Sequence, residues 1–251
     1  MAFAALVLAG SRPGPDPLAA YAGAPHKALI TLSGRTLAER VVTALRQAGA
    51  SRICASANDP LVVEAFRSLG VEVLPAAEGP SQSVALALET MGAPLLVTTC
   101  DHALLEPEWI TDFLADAPAG GDVAVLLGSR DRVEAAAPGA RRTYLKFADG
   151  QWSGCNLFLI ATPRADLAVR FWRRLEAERK RPWRMAGLIG PGALIAYLLG
   201  SLTLTGAVER LGRKIGVTAH AVASRHGLAA VDVDKPADLD LVRRLVGEAA
   251  P

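Results

Sequence analysis

The amino-acid sequence predicts an α/β protein built on a doubly wound, mostly parallel sheet, and three observations support this fold class. Short apolar runs recur through the first half of the chain, and they are continuous rather than alternating, as in strands buried on both faces. Segments with helix-start signals separate these runs. No internal repeat, low-complexity tract or clear linker interrupts the alternation, so we expect one domain over residues 1–251. Repeated strand–helix units place their ligand site at the carboxyl ends of the strands.

The predicted elements follow from apolar runs and capping signals. In the first half, strands are expected at residues 3–9, 51–56, 71–74, 94–99 and 122–128. The second half is less regular, with strands expected at 142–147, 155–161, 216–222 and 228–233. Helices are expected to begin at the Thr36–Glu39 capping box, at Asp59-Pro60, at Ser81 or Ser83 and at Pro107, with a long basic helix from about Pro163 to Arg181 and a last helix from Pro236 to about Glu248.

Composition narrows the class of protein. The sequence has 251 residues, of which 51% are hydrophobic and 21% charged, so it is globular and long enough to bury a sizeable core. The formal net charge of +2 gives no reason to expect a nucleic-acid partner. The three cysteines are far apart and form no CxxC pair, and the N-terminus lacks a signal-peptide pattern, so we expect a cytoplasmic protein.

The loop after the first strand is the most informative segment. The stretch "LVLAGSRPGPDPLAAYAGAPHKAL", residues 6–29, has glycines that allow tight turns at Gly10 and Gly14, with positive charge at Arg12 and Lys27. A loop of this kind at the carboxyl end of a parallel strand presents backbone N–H groups to an anion such as a phosphate. The alternative is a surface loop with solvated charges. Neither the P-loop nor the GxGxxG pattern is present.

The same segment, continued through "PHKALITLSGRTLAERVVTAL", resembles the signature of the cytidylyl- and guanylyltransferase-like nucleotidyltransferases, among them the molybdenum cofactor cytidylyltransferase type. The resemblance implies a GT-A-like sheet and transfer of a nucleotidyl group from an NTP to a phosphorylated acceptor, with release of pyrophosphate. Ser11 stands where the family has a second glycine, and the loop is longer than usual. The resemblance implies that the NTP is bound by Leu8, Ala9, Gly10, Ser11, Arg12, Gly14, Lys27 and Ser83.

Ser83 lies in "GPSQSVALALE", residues 79–89, where the family places its base-reading segment. The resemblance implies that Ser83 or its backbone contacts the base, and the pattern favours CTP over GTP. The alternative is a serine that only caps a helix.

Two carboxylates are candidates for a Mg²⁺ site. Asp101 directly follows a predicted buried strand, where a carboxylate suits a hard cation, although it could instead cap the next helix. In "AAVDVDKPADLDLV", residues 229–242, the resemblance implies that Asp234 completes the metal site with Asp101. Alternation along this segment points Asp232 elsewhere, and the alternative is that all these acids cap the last helix. Arg12, Lys27 and Asp101 are the predicted catalytic residues.

The acceptor is expected to bind in an inserted lobe. Residues 141–160 offer Arg141, Arg142 and Lys146 as anion binders, and the resemblance places a segment like that of Gly154 and Asn156 beside the acceptor. The alternatives are a solvated Lys146 and an Asn156 that only organises its loop. The predicted parts are an NTP-binding part at about 1–130, an acceptor-side part at about 131–215, and closing strands and a helix at about 216–251.

Two other functions stay open. A glycosyltransferase with a nucleotide-sugar donor would need a D-x-D motif in the middle of the sequence, and the D-x-D patterns here, Asp232–Asp234 and Asp238–Asp240, lie near the C-terminus. A non-catalytic nucleotide-binding relative would have no need of Lys27, Asp101 and Asp234.

Residues 170–207 combine a basic, Trp-bearing first part with 22 residues that carry no charge, Ala186 to Ala207. Glycines interrupt the uncharged stretch, so we do not expect it to span a membrane. Helices packed in the core are one interpretation. The other is an apolar acceptor pocket or a membrane-facing surface, which would suit a lipid-precursor phosphate as acceptor and a peripheral position at the inner membrane surface.

Overall fold

The computed structural model describes residues 2–11, 14–178, 181, 187–188 and 190–248, which form an α/β fold around one mixed, mostly parallel sheet. The strands are β1 (Ala4–Leu8), β2 (Thr31–Leu32), β3 (Arg35–Thr36), β4 (Arg52–Ala57), β5 (Glu72–Pro75), β6 (Leu95–Thr99), β7 (Val123–Ser129), β8 (Leu145–Phe147), β9 (Gly150–Ile160) and β10 (Ala219–Ala223). The helices are α1 (Pro17–Tyr21), α2 (Leu37–Gln47), α3 (Pro60–Ser68), α4 (Pro80–Met91), α5 (Pro107–Asp116), α6 (Arg130–Ala136), α7 (Asp166–Ala177), α8 (Pro191–Leu198), α9 (Leu204–Ile215) and α10 (Pro236–Leu245).

The main sheet has the order β10-β7-β9-β6-β1-β4-β5, which confirms the predicted fold class. Strand β1 pairs in parallel with β4 and β6, β4 with β5, and β7 with β10, whereas β9 runs antiparallel to β6 and β7. Strand β8 pairs with β9, and β2 and β3 form a separate hairpin. The carboxyl ends of β1, β4 and β6 therefore meet at one edge of the sheet.

Helices cover both faces of the sheet because its central strands are apolar on both sides. Along β1, Ala5 and Val7 pack into one core together with residues of α2, α3 and α5. The intervening Leu6 packs into a second core with residues of α4 and α7. Truncation of a fully buried side chain such as Leu6 to alanine would cost about 2–5 kcal/mol of the free energy of unfolding.

Most predicted helix starts are confirmed. The Thr36 hydroxyl accepts from the backbone N–H of Glu39 at 3.1 Å, and Asp59 caps α3 through Leu61 and Val62. Helix α4 differs: it begins at Pro80, because the ring of proline suits the first helical position. Its N-terminus is capped by Glu176 of α7, which accepts from the Ser81 N–H at 3.3 Å.

The predicted strand at 228–233 is wrong. Residues Gly227–Ala230 form a 3₁₀ turn, and the chain then passes the end of β6, where the Val233 N–H donates to the carbonyl of Asp101 at 3.1 Å. Ala229, Ala230, Val231 and Val233 are buried, which explains the misleading apolar run. The segment is buried by packing and not by strand pairing.

The region 170–207 divides into a packed part and an exposed part. The Trp172 ring stacks on Phe158 with centroids 5.9 Å apart, so the Trp172 side chain faces the protein core. The core interpretation is wrong for α8 and the residue after it, because their large apolar side chains are exposed: Leu194, Ile195, Tyr197, Leu198 and Leu199. Residues 179–180, 182–186 and 189, including Trp183, lie outside the described residues. Among the helices described, none is long and apolar enough to cross a membrane.

Candidate functional site

The loop after β1 starts at the sheet edge where β1, β4 and β6 end. The Ala9 N–H donates to the Ser56 carbonyl at 2.9 Å, and the Leu8 carbonyl accepts from the Cys100 N–H at 3.0 Å, so the loop leaves between the neighbouring strands. A Cβ at Gly10 would lie 3.1 Å from the Cβ of Ala76, so this close approach favours glycine. Gly14 has a φ of +108°, which L side chains rarely adopt. The predicted phosphate ligand Arg12 lies outside the described residues.

Ser11 is held by two residues that the sequence analysis did not identify. Its N–H donates to Asn58 Oδ1 at 2.9 Å, and its carbonyl accepts from Asn58 Nδ2 at 3.2 Å. Its hydroxyl lies 2.7 Å from His26 Nε2, while His26 Nδ1 accepts from the Ala28 N–H at 3.0 Å. Because Nδ1 accepts this hydrogen bond, it carries no proton and the ring donates from Nε2 to the Ser11 hydroxyl. Burial, which lowers the pKa of His26, favours the same neutral ring. Asn58 directly follows β4, and this position at the carboxyl end of a strand is the feature of the sequence that could have identified it.

Lys27 brings the predicted site together. It begins a 3₁₀ turn, and its Nζ lies 2.7 Å from Asp101 Oδ2 and 2.6 Å from Asp234 Oδ1. Burial alone would lower the pKa of Lys27, but the two carboxylates raise it above its ordinary value. Lys27 is therefore a fixed positive charge between two carboxylates that come from distant parts of the sequence.

The two carboxylates differ in their surroundings. Asp101 follows β6 and accepts from the Thr99 hydroxyl, and burial raises the pKa of its carboxyl. Burial also acts to raise the pKa of Asp234, but the hydrogen bond and charge of Lys27 hold it below the ordinary value. The N–H groups of Asp234 and Lys235 both donate to Asp238 Oδ2, at 3.2 and 2.9 Å. This contact fixes the backbone that carries the Asp234 carboxylate.

The Asp101–Asp234 pair fits a hard divalent cation such as Mg²⁺. Its oxygens converge on one point, which the Lys27 ammonium marks as a cation position, and anionic oxygens are the ligands that Mg²⁺ prefers. A second acidic group, Glu108, Asp112 and His226, has ligand atoms within 4.8 Å of one another. Its Asp112 is already paired with His226 at 2.8 Å and with Arg225 at 3.6 Å, so we assign no metal there.

Asp232 binds partners that Asp234 does not bind, although the segment forms no strand and alternation therefore does not explain the difference. Both carboxylate oxygens of Asp232 accept from Arg142, and Oδ2 also accepts from Asn156 Nδ2 at 2.7 Å. The predicted acceptor residue Asn156 therefore contacts the C-terminal acidic segment.

The other two predicted acceptor residues, Gly154 and Lys146, differ in their distance from Asn156. Gly154 lies on β9 near Asn156, and both Gly154 and Lys146 are exposed. Lys146 pairs with Gln151 across β8 and β9. Along β9, Gln151 is about 16 Å from Asn156, at about 3.3 Å per residue. The structure thus places Gly154 and Asn156 together and Lys146 apart from them.

Ser83 is buried, and its hydroxyl accepts from the Ala77 N–H at 3.1 Å. It thereby holds the β5–α4 loop, which lines an open groove of about 570 Å³ together with Gln82 and with Arg173 of α7. Ala76, which touches Gly10, also lines this groove. The groove therefore adjoins the loop after β1.

Comparisons with known proteins show the family and the fold of the chain. The family model of the MobA-like NTP transferase domain matches residues 5–181. A structure described as a hypothetical transferase from Thermus thermophilus has 33% sequence identity and a TM-score of 0.82, covering 95% of this chain and 100% of its own. A comparison with curated protein sequences found no significant match.

Two more distant structures share the fold. A nucleotidyl transferase from Methanothermobacter thermautotrophicus has 20% identity and a TM-score of 0.59, covering 98% of both chains. A CMP:2-keto-3-deoxy-manno-octonic acid synthetase complexed with CTP has 17% identity and a TM-score of 0.59, covering 98% of this chain and 99% of its own.

Proposed function

The chain belongs to the family of MobA-like NTP transferase domains, and from this premise we propose that it transfers the cytidylyl group of CTP to a phosphorylated acceptor. The observation that carries the proposal is the position of Lys27 Nζ, within 2.7 Å of both Asp101 and Asp234. A cation position beside a glycine-containing loop at the carboxyl ends of parallel strands is where a nucleotide phosphate and its metal are expected.

The loop after β1 is proposed to bind the NTP phosphates. Gly10 and Gly14 would contribute backbone N–H groups and close approach, Ser11 its hydroxyl, and Arg12 and Lys27 positive charge. Leu8 and Ala9 would set the start of the loop, since the Ala9 N–H is already bound to the Ser56 carbonyl. Ser11 supports this role, because His26 donates to its hydroxyl oxygen and leaves the hydroxyl proton available to an anion. A divalent cation would replace the Lys27 ammonium between Asp101 and Asp234, which would leave Lys27 free to contact the phosphates. The cation would supply charge neutralisation on phosphate oxygens.

The proposed reaction needs no general base. A phosphate acceptor is already ionised at neutral pH, so its oxygen attacks the α-phosphorus directly. The new bond forms between the acceptor oxygen and the α-phosphorus, while the bond from the α-phosphorus to the bridging oxygen of the β-phosphate breaks. Lys27 and Arg12 would neutralise the charge of the departing pyrophosphate.

The groove beside Gly10 is the proposed base site. The Ser83 hydroxyl is engaged with the Ala77 N–H, so we propose that Ser83 acts by holding the β5–α4 loop against the base. The choice of CTP rests on the segment at residues 79–89 and on the fold shared with a synthetase whose structure contains CTP.

The acceptor is proposed to lie near Gly154 and Asn156 and to carry a phosphate. Because α8 has exposed apolar side chains, we further propose that the acceptor is a lipid precursor. We also propose that α8 contacts an anionic membrane surface. Ile195, Leu198 and Leu199 are 56%, 74% and 76% exposed. Cationic residues lie at both ends of α8. Lys214 donates to the carbonyl of Leu188 at 2.6 Å, and Lys146 is next to Phe147, whose ring contacts Tyr197.

The test is release of pyrophosphate from CTP or GTP with a panel of phosphorylated acceptors, with and without Mg²⁺. Mg²⁺-dependent release with CTP and one acceptor class supports the proposal. Turnover of a nucleotide-sugar without pyrophosphate release would favour a glycosyltransferase instead. Binding of CTP and Mg²⁺ by calorimetry without turnover of any acceptor in the panel would favour a non-catalytic relative.

A further inference from the structure

Asp232 is a buried carboxylate, and both of its oxygens accept hydrogen bonds from other side chains. It is 7% exposed, and it binds the Arg142 guanidinium with both oxygens and the Asn156 amide with one. Arg142 lies between α6 and β8, and Asn156 lies in β9, so Asp232 joins the acceptor-side segments to the segment that precedes α10. Asp234, the proposed metal ligand, is two residues further on.

The backbone of β9 is shaped to reach Asp232. The pairing of β7 and β9 shifts register between Val125 and Leu127, and Asn156, in the bulged part of β9, has a φ of +50°. Among residues other than glycine, asparagine is one of those that best tolerate this left-handed region, and bulges commonly re-aim a side chain. Here the bulge directs the Asn156 amide to the Asp232 carboxylate.

The segment from Asp232 to Lys235 is held at every residue. The Val233 N–H donates to the Asp101 carbonyl at 3.1 Å, and the N–H groups of Asp234 and Lys235 donate to Asp238. Asp232 is the anchor at the start of the segment, through its side chain. Loss of this anchor would free the backbone that sets the distance between the Asp101 and Asp234 carboxylates.

Asp232 also controls where the positive charge of Arg142 lies. Arg142 binds Asp232, which is two residues before Asp234, so the guanidinium lies beside the segment that carries Asp234. An Arg142 side chain released from Asp232 would have the Asp234 carboxylate as a nearby anion. There it would compete with a divalent cation.

We propose that Asp232 is a positioning residue for the metal site, which holds Arg142 away from the Asp234 carboxylate and anchors the segment that carries Asp234. The proposal rests on the proposed function, since it assumes a cation at Asp101 and Asp234. Residues that hold metal ligands in place typically change metal affinity by about 10–100-fold when they are replaced.

The test measures Mn²⁺ binding from the electron paramagnetic resonance signal of free Mn²⁺, without nucleotide or acceptor, together with thermal melting. Asp232→Asn should bind Mn²⁺ at least about tenfold more weakly than wild type. Adding Arg142→Met to Asp232→Asn should restore affinity toward wild type, because the competing charge is gone. Asn156→Gly, which keeps the left-handed backbone and removes one donor, should give a smaller loss.

Asp122→Asn is the matched control. Asp122 is also 7% exposed and accepts from the Thr162 hydroxyl and the Thr218 N–H, so its replacement should lower the melting temperature without changing Mn²⁺ affinity. Wild-type affinity in both Asp232→Asn and Asn156→Gly would overturn the anchoring. A double variant as weak as Asp232→Asn would overturn the competition by Arg142. Absence of Mn²⁺ binding in the wild type, or equal binding by Asp101→Asn, would instead refute the proposed metal site.

Discussion

Lys27 and Asp234 lie 207 positions apart in the sequence, yet Lys27 Nζ is 2.6 Å from Asp234 Oδ1. The same nitrogen is 2.7 Å from Asp101 Oδ2. One ammonium thus joins the loop after β1, the end of β6 and the segment before α10. The activity and the stability of the protein are expected to depend on this junction and on the residues around it.

Asp101→Asn should keep the fold and lose at least about 90% of turnover at saturating Mg²⁺, a loss of at least about 1.4 kcal/mol in transition-state stabilisation. The physical reason is the loss of one of two anionic oxygen ligands. Pyrophosphate release under saturating CTP measures it. Asp112→Asn, in the other acidic group, is the control and should retain wild-type turnover. Retention of more than a tenth of activity by Asp101→Asn would refute the metal role.

Lys27→Met should weaken CTP binding and slow turnover. Without its ammonium, the Asp101 and Asp234 carboxylates repel each other, so the melting temperature in EDTA should fall. Mg²⁺ should then raise the melting temperature of the variant more than that of wild type, because the metal replaces the missing charge. Differential scanning fluorimetry with and without Mg²⁺ measures both effects. An equal response of variant and wild type to Mg²⁺, with normal kinetics, would show that Lys27 has a structural role alone.

CTP should be preferred over GTP in kcat/KM with the true acceptor. Ser83→Ala should lower kcat/KM for CTP, because the β5–α4 loop loses the hydrogen bond at the Ala77 N–H. Ser81→Ala is the matched control. Ser81 is buried in the same helix and its hydroxyl binds Glu176, so its loss should affect stability and not the CTP preference. Equal or faster turnover with GTP by the wild type would contradict the base assignment.

His102 makes stability depend on pH. Burial lowers the pKa of His102 to about 4, whereas an unfolded histidine has a pKa of about 6.5. Below pH 6.5 the unfolded protein therefore binds the proton first, and stability falls as the pH is lowered toward 4. At pH 5 the loss relative to neutral pH is about 2 kcal/mol. Urea unfolding of His102→Met between pH 7 and pH 5 should show a correspondingly smaller decrease than wild type. Identical decreases would assign the pH dependence to other groups.

The α8 surface should bind vesicles that contain anionic lipid at low salt and release them at high salt. Ile195→Glu with Leu198→Glu should abolish co-sedimentation, because the glutamates add charge to the apolar surface and repel anionic headgroups. Leu61→Glu is the control, since Leu61 is 55% exposed on α3 and carries no expected lipid contact. Wild-type protein that stays in the supernatant at low salt would refute membrane contact through this helix.

Much of the fold was predictable because its signals are local. Continuous apolar runs identify β1, β4, β5, β6 and β7, and capping residues such as Thr36 and Asp59 identify helix starts, since a cap and the N–H it binds are three or fewer positions apart. The strand predicted at 228–233 is wrong because burial alone does not distinguish a paired strand from a packed coil. Helix α8 was open to two interpretations because an apolar run does not reveal whether another element covers it.

The sequence by itself determined the family and the residue types of the candidate site: a glycine-containing loop, Lys27, and carboxylates at Asp101 and Asp234. Tertiary structure decided how these meet. Three groups of contacts join residues from separate elements. Both carboxylates contact Lys27; Asn58 and His26 bind Ser11; and Asp232 binds Arg142. Such contacts depend on which strand ends share an edge and on how far each side chain reaches, and these distances are properties of the packed protein.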